Sequence, residues 1–321
     1  MKADERFERM PLSFWAYVRV LTEARGAAVR GQDSIRGASH ADLVDALEML
    51  GRDSDVLGSS HRPTRLGADL VDYFQFRAEV LNVQVRTDLL RVGDAAAMFD
   101  AVVSSTHARE SDPDVNRDGV LVRRNFYVPG HPRLVPVPMN KQRGSLRTPA
   151  YLTGTVNLLM AHHLGQDRFE ADPSRIPVVD HEGVLFAALS RRMDGAYPSS
   201  VNPIAMWEIK EYYHTTSFGS KISDAVYISS LDGYERLELQ RGTGVDVEHL
   251  VIVDAFDTWW GKGKSYLCRL IDILHMGMVT EVIFGREVLS ALPRRVSSWQ
   301  RHGSAEPDPQ VFALSPEELQ S

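Results

Sequence analysis

The chain has 321 residues, 43% of them hydrophobic, so it can bury a substantial core in one large domain or two smaller ones. It has no long apolar run and begins with a polar stretch, so we expect neither a membrane-spanning helix nor a signal peptide and predict a cytoplasmic protein. The single cysteine, Cys268, excludes an intrachain disulfide and a cysteine-cluster zinc site, and the net charge of −7 is not typical of a nucleic-acid-binding protein.

Helical patterns fill the first part of the chain. Apolar residues recur at helical spacing over 11–25, 40–50, 66–83 and 94–104, and Ser39 stands where it can cap the second of these helices. We therefore predict a mainly helical N-terminal domain over residues 1–110. It could be a helix-turn-helix or winged-helix module that reads DNA, a helical lid, or a dimerisation layer.

Residues 111–146 are rich in proline, glycine and arginine, and we interpret them as a connection between domains with a short strand over Val120–Val128. From Val115 to Ala150 there are seven basic residues and one acidic residue. Such a segment can follow a phosphate backbone, although a solvated loop is the alternative. Its candidate DNA-binding residues are Arg123, Arg124, Lys141, Arg143 and Arg147.

The remainder of the chain alternates between strand and helix patterns. After a helix over 149–164, residues 182–192 are expected to form a helix capped by Asp180, or a strand, because the apolar run is short. Strands are predicted over 202–213, 249–255 and 279–285, with helices after the first two and a loop at Trp259–Lys264. This order predicts an α/β domain over 147–303 with a mainly parallel sheet covered by helices, and then a flexible tail over 304–321.

Glu208 and Lys210 are the central candidates for function. On one strand they share a face, while Ile209 points to the other face. Asp194, in a turn-like segment upstream, could bring a second carboxylate to them. Two carboxylates and a lysine suit the binding of Mg²⁺, with Mn²⁺ as a substitute, against a phosphodiester. Lys210 would orient the attacking water or neutralise charge on the phosphate.

Asp194, Glu208 and Lys210 together resemble the motif of the PD-(D/E)XK nuclease superfamily, which includes many restriction endonucleases. The resemblance extends from Ile176 to Phe284, and Met193 stands where the family name has proline. It implies a restriction-endonuclease-like central mixed sheet flanked by helices. It further implies that Asp194, Glu208 and the carbonyl of Ile209 hold the metal, with Glu182 as an accessory acidic residue. The alternative is that Glu182 interacts favourably with the helix dipole from the first turn of a helix.

The loop after this strand is dense in hydrogen-bonding side chains that we expect to contact DNA, although its hydroxyls could instead cap the next helix. They are Thr215, Thr216, Ser217, Ser220 and Lys221. The leading hypothesis is a metal-dependent endonuclease for double-stranded DNA, of restriction or defence type, acting as a homodimer by analogy. The alternative is a non-catalytic nucleic-acid-binding or assembly protein that retains the nuclease fold, with Glu208 and Lys210 as an ion pair. A nuclease directed at RNA or at repair is a third hypothesis.

Overall fold

The computed structural model describes residues 1–28, 31–214 and 220–302. Within these ranges the protein is a mixed α/β structure with a five-stranded central sheet, a three-stranded antiparallel sheet and two short hairpins. None of the helices in the described part of the chain is long and apolar enough to cross a membrane.

The N-terminal elements are helical, as predicted. They are α1 (Leu12–Arg25), α2 (His40–Met49), the hairpin of β1 (Gly58–Ser59) and β2 (Arg62–Pro63), α3 (Arg65–Val80), a π-helical turn (Leu81–Val85), α4 (Arg86–Asp88) and α5 (Val92–Ser105). Ser39 caps α2 as expected: its hydroxyl accepts from the backbone N–H of Asp42, and the Asp42 carboxylate accepts from the backbone N–H of Ser39.

The segment that we interpreted as a connection forms a sheet instead. Its strands are β3 (Arg109–Val115), β4 (Leu121–Tyr127), which is the short strand predicted there, and β5 (Val135–Pro138), paired antiparallel in the order β3-β4-β5. The next helix is α6 (Tyr151–Leu164). Phe126, Val135 and Val137 are buried in one cluster with residues of α5 and α6, so this sheet belongs to the main core.

The central sheet contains the three strands predicted over 202–213, 249–255 and 279–285, with helices between them along the chain. In chain order the strands are β6 (Glu170–Ala171), β7 (Val178–His181), β8 (Val184–Ala188), β9 (Gly195–Tyr197), β10 (Ala205–Glu211), β11 (Glu248–Asp254) and β12 (Glu281–Phe284). The sheet order is β12-β11-β10-β9-β6; the first three are parallel, whereas β9 is antiparallel to both of its neighbours. The sheet is therefore mixed.

The helix expected over 182–192 is wrong, and the strand alternative is right. Strands β7 and β8 pair with each other in a separate antiparallel hairpin. Glu182 and Gly183 form its two-residue turn and both adopt positive φ angles, of 52° and 84°. This backbone conformation matches the twist of a tight hairpin and cannot continue into a helix.

Four helices complete the structure: α7 (Ser220–Thr243), α8 (Phe256–Lys262), α9 (Lys264–His275) and α10 (Val288–His302). The loop prediction at Trp259–Lys264 is wrong, because these residues are helical except for Gly263, which separates α8 from α9. Trp259 and Trp260 lie in α8 and are fully buried, because the two indoles fill the space between α9 and the sheet. Helix α7 buries Ile222 and Val226, whereas its Tyr227 and Leu231 are exposed.

The central sheet separates two cores. On one face Trp207, Leu250 and Ile252 pack with α5, α6 and α10. On the other face Val251 and Val253 pack with α9 and with the end of α3, and Cys268 is buried there. The end of α3 therefore shares a core with the sheet, whereas α1, α2 and the rest of α3 form a separate buried cluster. Helix α5, which we assigned to the N-terminal domain, packs on α6. The predicted flexible tail lies outside the described residues.

Candidate active site

Strand β10 presents Glu208 and Lys210 on one face and Ile209 on the other, as the alternation predicts. Both charged side chains are buried: Glu208 is 2% exposed and Lys210 is 7% exposed. Ile209 packs against the core that contains Trp207. A buried carboxylate and a buried ammonium must be paired, so the partners of these two groups define the site.

Asp194 reaches the same place from the loop that precedes β9. Its backbone N–H donates to the carbonyl of Trp207 at 3.1 Å, and its Oδ2 accepts from the backbone N–H of Ile209 at 2.7 Å. The Asp194 carboxylate thus accepts the hydrogen bond that a backbone carbonyl of a neighbouring strand would otherwise accept from Ile209, the residue between Glu208 and Lys210. The structure brings all three predicted residues together at this edge of β10.

Two further residues that the sequence did not predict complete the cluster. Lys210 Nζ lies 2.7 Å from Glu208 Oε2, while both terminal nitrogens of Arg191 donate to Glu208 Oε1, with Nη2 at 2.6 Å. Arg191 Nη1 also lies 3.3 Å from Oδ2 of Asp232, a fully buried residue of α7. The other oxygen of that carboxylate, Oδ1, is buried without a hydrogen-bond partner in the described structure.

The cluster carries an excess of buried negative charge. Burial, followed by the nearby charge of Asp194, raises the pKa of Glu208 to about 7, although Lys210 and Arg191 oppose both effects. Burial likewise raises the pKa of Asp232 to about 6, against the opposing charges of Arg191 and Lys210. Burial, followed by the charges of Glu208 and Asp194, raises the pKa of Tyr212 to about 12. An added cation would therefore be favourable here.

The residues present fit a divalent cation with oxygen ligands. The described residues contain no group of three His, Cys, Asp or Glu side chains placed to hold a metal ion, so a zinc-type site of protein ligands is not formed by them. Two carboxylates and a backbone carbonyl are nonetheless a sufficient protein contribution for Mg²⁺, which retains several waters. The partnerless Oδ1 of Asp232 is a further acceptor beside the cluster.

Glu182 occupies a different setting. It lies exposed at the tip of the β7–β8 hairpin, and the charges that most affect Glu208 are those of Asp194, Lys210 and Arg191. Its alternative role as the first-turn residue of a helix is wrong, because no helix begins there. A role as an accessory ligand remains a prediction.

The predicted DNA-binding arginines have several different surroundings. Arg123 is paired with Asp114, and Arg124 makes a two-bond pair with Glu110 at 2.6 and 2.7 Å, both across the β3–β4 ladder. Arg147 donates to the backbone carbonyls of Leu121 and Gln142. Lys141 and Arg143 are exposed in the loop between β5 and α6. These two therefore carry most of the accessible positive charge of this set.

The predicted DNA-contacting loop is described only at its end. Thr215, Thr216 and Ser217 lie outside the described residues, whereas Ser220 begins α7 and Lys221 follows it with an exposed side chain. The backbone carbonyl of Lys221 accepts from the Tyr212 hydroxyl at 3.4 Å. This contact connects the start of α7 to the residue that follows β10.

These features define an α/β protein whose mixed sheet carries a buried cluster of carboxylates and basic side chains at one strand edge. The chain belongs to the DUF7687 family, a domain of unknown function whose model matches residues 92–299. A second model, DUF7690, also described as a domain of unknown function, matches residues 1–84. No curated protein and no solved structure matches the chain significantly. The candidate site lies within the DUF7687 part.

Proposed function

We propose that the protein is a metal-dependent endonuclease of the PD-(D/E)XK type that hydrolyses phosphodiester bonds of double-stranded DNA. One observation carries the proposal: the Asp194 carboxylate lies on the backbone between Glu208 and Lys210, at the edge of a buried strand. The mixed sheet with helices on both faces supports it, since the resemblance implies such a sheet.

The residues of the site have distinct roles in this proposal. Asp194, Glu208 and the carbonyl of Ile209 would hold Mg²⁺, which supplies positive charge to the phosphate and lowers the pKa of a nearby water. Lys210 is held beside Glu208 by their 2.7 Å contact and by the strand on which both lie. Its ammonium would orient the attacking water and offset negative charge that develops on the phosphate, in a site where burial strengthens both effects.

Replacement of Lys210 tests this function. We expect Lys210→Ala to lose more than about 100-fold in the Mg²⁺-dependent cleavage of supercoiled plasmid, since oxyanion and general-acid–base groups contribute factors of this size. Duplex binding, measured by fluorescence anisotropy in the presence of EDTA, should remain. Lys262→Ala is the matched control, because Lys262 is exposed at the end of α8. Cleavage by Lys210→Ala at the rate of the control would remove the lysine from the mechanism.

A second candidate function has its own supporting observation. Both oxygens of Glu208 are already engaged by basic side chains, as in the alternative in which this cluster is an ion-pair network of a non-catalytic nucleic-acid-binding or assembly protein. Titration with Mn²⁺ separates the two functions. The nuclease binds Mn²⁺ and loses it in Glu208→Gln, whereas the ion-pair network binds no Mn²⁺ before or after that substitution.

A further inference from the structure

Arg191 occupies the position that a cation on Glu208 would need. Its guanidinium donates to Glu208 Oε1 and contacts Asp232, while Lys210 takes Glu208 Oε2. Three of the roughly four acceptor positions of this carboxylate are therefore taken, so a divalent ion that bonds to Glu208 competes with these two basic groups for space and for the carboxylate oxygens. Which of the two leaves determines how the site opens.

Exposure and chain position point to Arg191 as the group that leaves. The Lys210 side chain is 9% exposed, and its backbone is fixed opposite Val253 in the centre of the sheet. The Arg191 side chain is 29% exposed and follows β8 in a loop. It can turn into solvent without losing hydration, whereas Lys210 has no such route.

The contact of Arg191 with Asp232 stabilises the closed arrangement. Asp232 is fully buried, and Arg191 is its basic partner at 3.3 Å. Departure of Arg191 removes the nearest counter-charge of this carboxylate and leaves only the more distant Lys210, and a poorly compensated buried charge is unfavourable. Only an incoming cation, or another basic group, offsets that loss. In the free protein, the Arg191 guanidinium thus provides the positive charge that a metal ion would otherwise provide.

A phosphate group of the substrate can attract Arg191 away from Glu208. The forked donors of arginine fit phosphate oxygens as well as carboxylates. Arg191 and Asp194 lie in the same loop, between β8 and β9. If a cation is held by Asp194 and Glu208, a phosphate bound to that cation lies close to the backbone of Arg191. The guanidinium can then leave the oxygens of Glu208 and Asp232 and donate to phosphate oxygens instead.

We propose that Arg191 is a latch that closes the cation site by pairing with Glu208 and Asp232, and that a phosphate of the substrate draws it away, so that cation and substrate bind cooperatively. This inference rests on the proposed function, because it assigns the same cation site. It predicts that the protein alone binds divalent cations weakly. Since coupling between two ligands is reciprocal, DNA strengthens cation binding and the cation strengthens DNA binding by the same factor.

Binding of Mn²⁺ to the full-length chain, followed by electron paramagnetic resonance, tests the latch. Arg191→Gln should bind Mn²⁺ about tenfold or more tightly than the wild type in the absence of DNA, because the competing cation is gone. Arg192→Gln, at the exposed neighbouring arginine, should match the wild type. A duplex with phosphorothioate linkages, which resist hydrolysis, should tighten Mn²⁺ binding to the wild type but hardly to Arg191→Gln.

A second variant guards against misfolding of the first. Arg191→Lys keeps the charge but cannot bridge Glu208 and Asp232, so it should also bind Mn²⁺ more tightly than the wild type. Equal, measurable Mn²⁺ affinity in wild type, Arg191→Gln and Arg191→Lys overturns the latch and leaves the nuclease proposal standing. Absence of Mn²⁺ binding in all three overturns both. Tighter binding by the variants without cleavage by the wild type supports the latch and removes the nuclease.

Discussion

Glu211 follows Lys210 and lies on the opposite face of β10, where it connects this strand to α6. Its carboxylate accepts hydrogen bonds from the backbone N–H and the hydroxyl of Thr153, at 3.0 and 3.1 Å, in the first turn of α6. A carboxylate at a helix N-terminus satisfies free N–H groups and interacts favourably with the helix dipole. Burial nevertheless raises the pKa of Glu211 to about 7, against the effect of the Thr153 hydrogen bonds.

Substitution of Glu211 should change how stability depends on pH. The folded pKa exceeds the ordinary value of 4.5, so the contribution of this group is complete at low pH and is lost as the pH rises through about 7. Glu211→Gln cannot ionise and can still accept from Thr153. The variant should therefore gain stability relative to the wild type between pH 5 and 8, on the order of 2 kcal/mol.

Urea denaturation at pH 5, 6, 7 and 8 measures this difference. Other buried carboxylates titrate in both proteins, so the free energy of unfolding of the variant is compared with that of the wild type at each pH. Glu238→Gln, at an exposed position of α7, is the matched control. A constant difference between Glu211→Gln and the wild type across this range would contradict the assignment.

For single residues, the sequence predicts only those positions that the local backbone geometry determines. Alternation along one strand places Glu208 and Lys210 on one face, and the structure agrees. Arg191 and Asp232 lie 41 residues apart and meet only because β8 and α7 pack together, so no local pattern indicated them. Burial of Trp259 and Trp260 likewise follows from packing between elements, whereas their glycine-rich surroundings indicated a loop.

At the scale of elements, the β3–β4–β5 sheet shows why a proline-rich segment was misread. Strand β5 pairs only with β4, so it is an edge strand, where residues without an N–H are tolerated. Its two valines are buried and alternate with Pro136 and Pro138. That alternation is a strand signal, but the density of proline and glycine around it favoured a connection. Ion pairs with β3 also neutralise two of the seven basic side chains counted along this segment.

The double variant Lys141→Ala/Arg143→Ala should weaken duplex binding. These side chains are exposed, whereas Arg123 and Arg124 are paired with acidic residues of β3. The affinity falls as salt rises, so log affinity plotted against log salt has a negative slope. Loss of two phosphate contacts should make this slope less steep by about 2. Fluorescence anisotropy with a short duplex at several salt concentrations measures both quantities.

Arg168→Ala/Arg175→Ala is the control for this double variant, because it removes the same charge from exposed positions outside the loop. Arg123→Ala/Arg124→Ala should have a smaller effect on the salt slope than Lys141→Ala/Arg143→Ala. If all three double variants lower the affinity equally, net charge alone explains the effect. The loop between β5 and α6 then has no special role in DNA binding.

At the scale of the molecule, the parts matched by two family models are joined by one core. Ala78 and Leu81, from the first part, are buried in the same cluster as Val251 and Leu270 of the second. The element type changes from helix to strand at Arg109, but the packing does not change there, because α5 packs on α6. Hydrophobic periodicity predicted the N-terminal helices, but it could not indicate that the end of α3 packs on the central sheet.

A buried ion pair ties the two parts together most directly. Arg77 of α3 contacts both carboxylate oxygens of Asp272 on α9, at 2.8 and 3.0 Å, and the Tyr73 hydroxyl donates to the same carboxylate at 2.6 Å. Both partners in the ion pair are buried. Asp272→Ala leaves the Arg77 charge without its partner, so we expect a loss of about 3–5 kcal/mol in the free energy of unfolding.

Asp246→Ala is the matched control for this loss. Asp246 also pairs with a buried arginine, Arg236, but its own side chain is 65% exposed, and Arg236 keeps the carbonyl of Gly277 at 2.6 Å. The expected loss is below about 1 kcal/mol. Urea denaturation followed by tryptophan fluorescence and by circular dichroism should give coincident single transitions for the wild type, because the shared core couples the parts. An Asp272→Ala variant as stable as Asp246→Ala, or a wild type with two separate transitions, would show that the two parts are energetically independent.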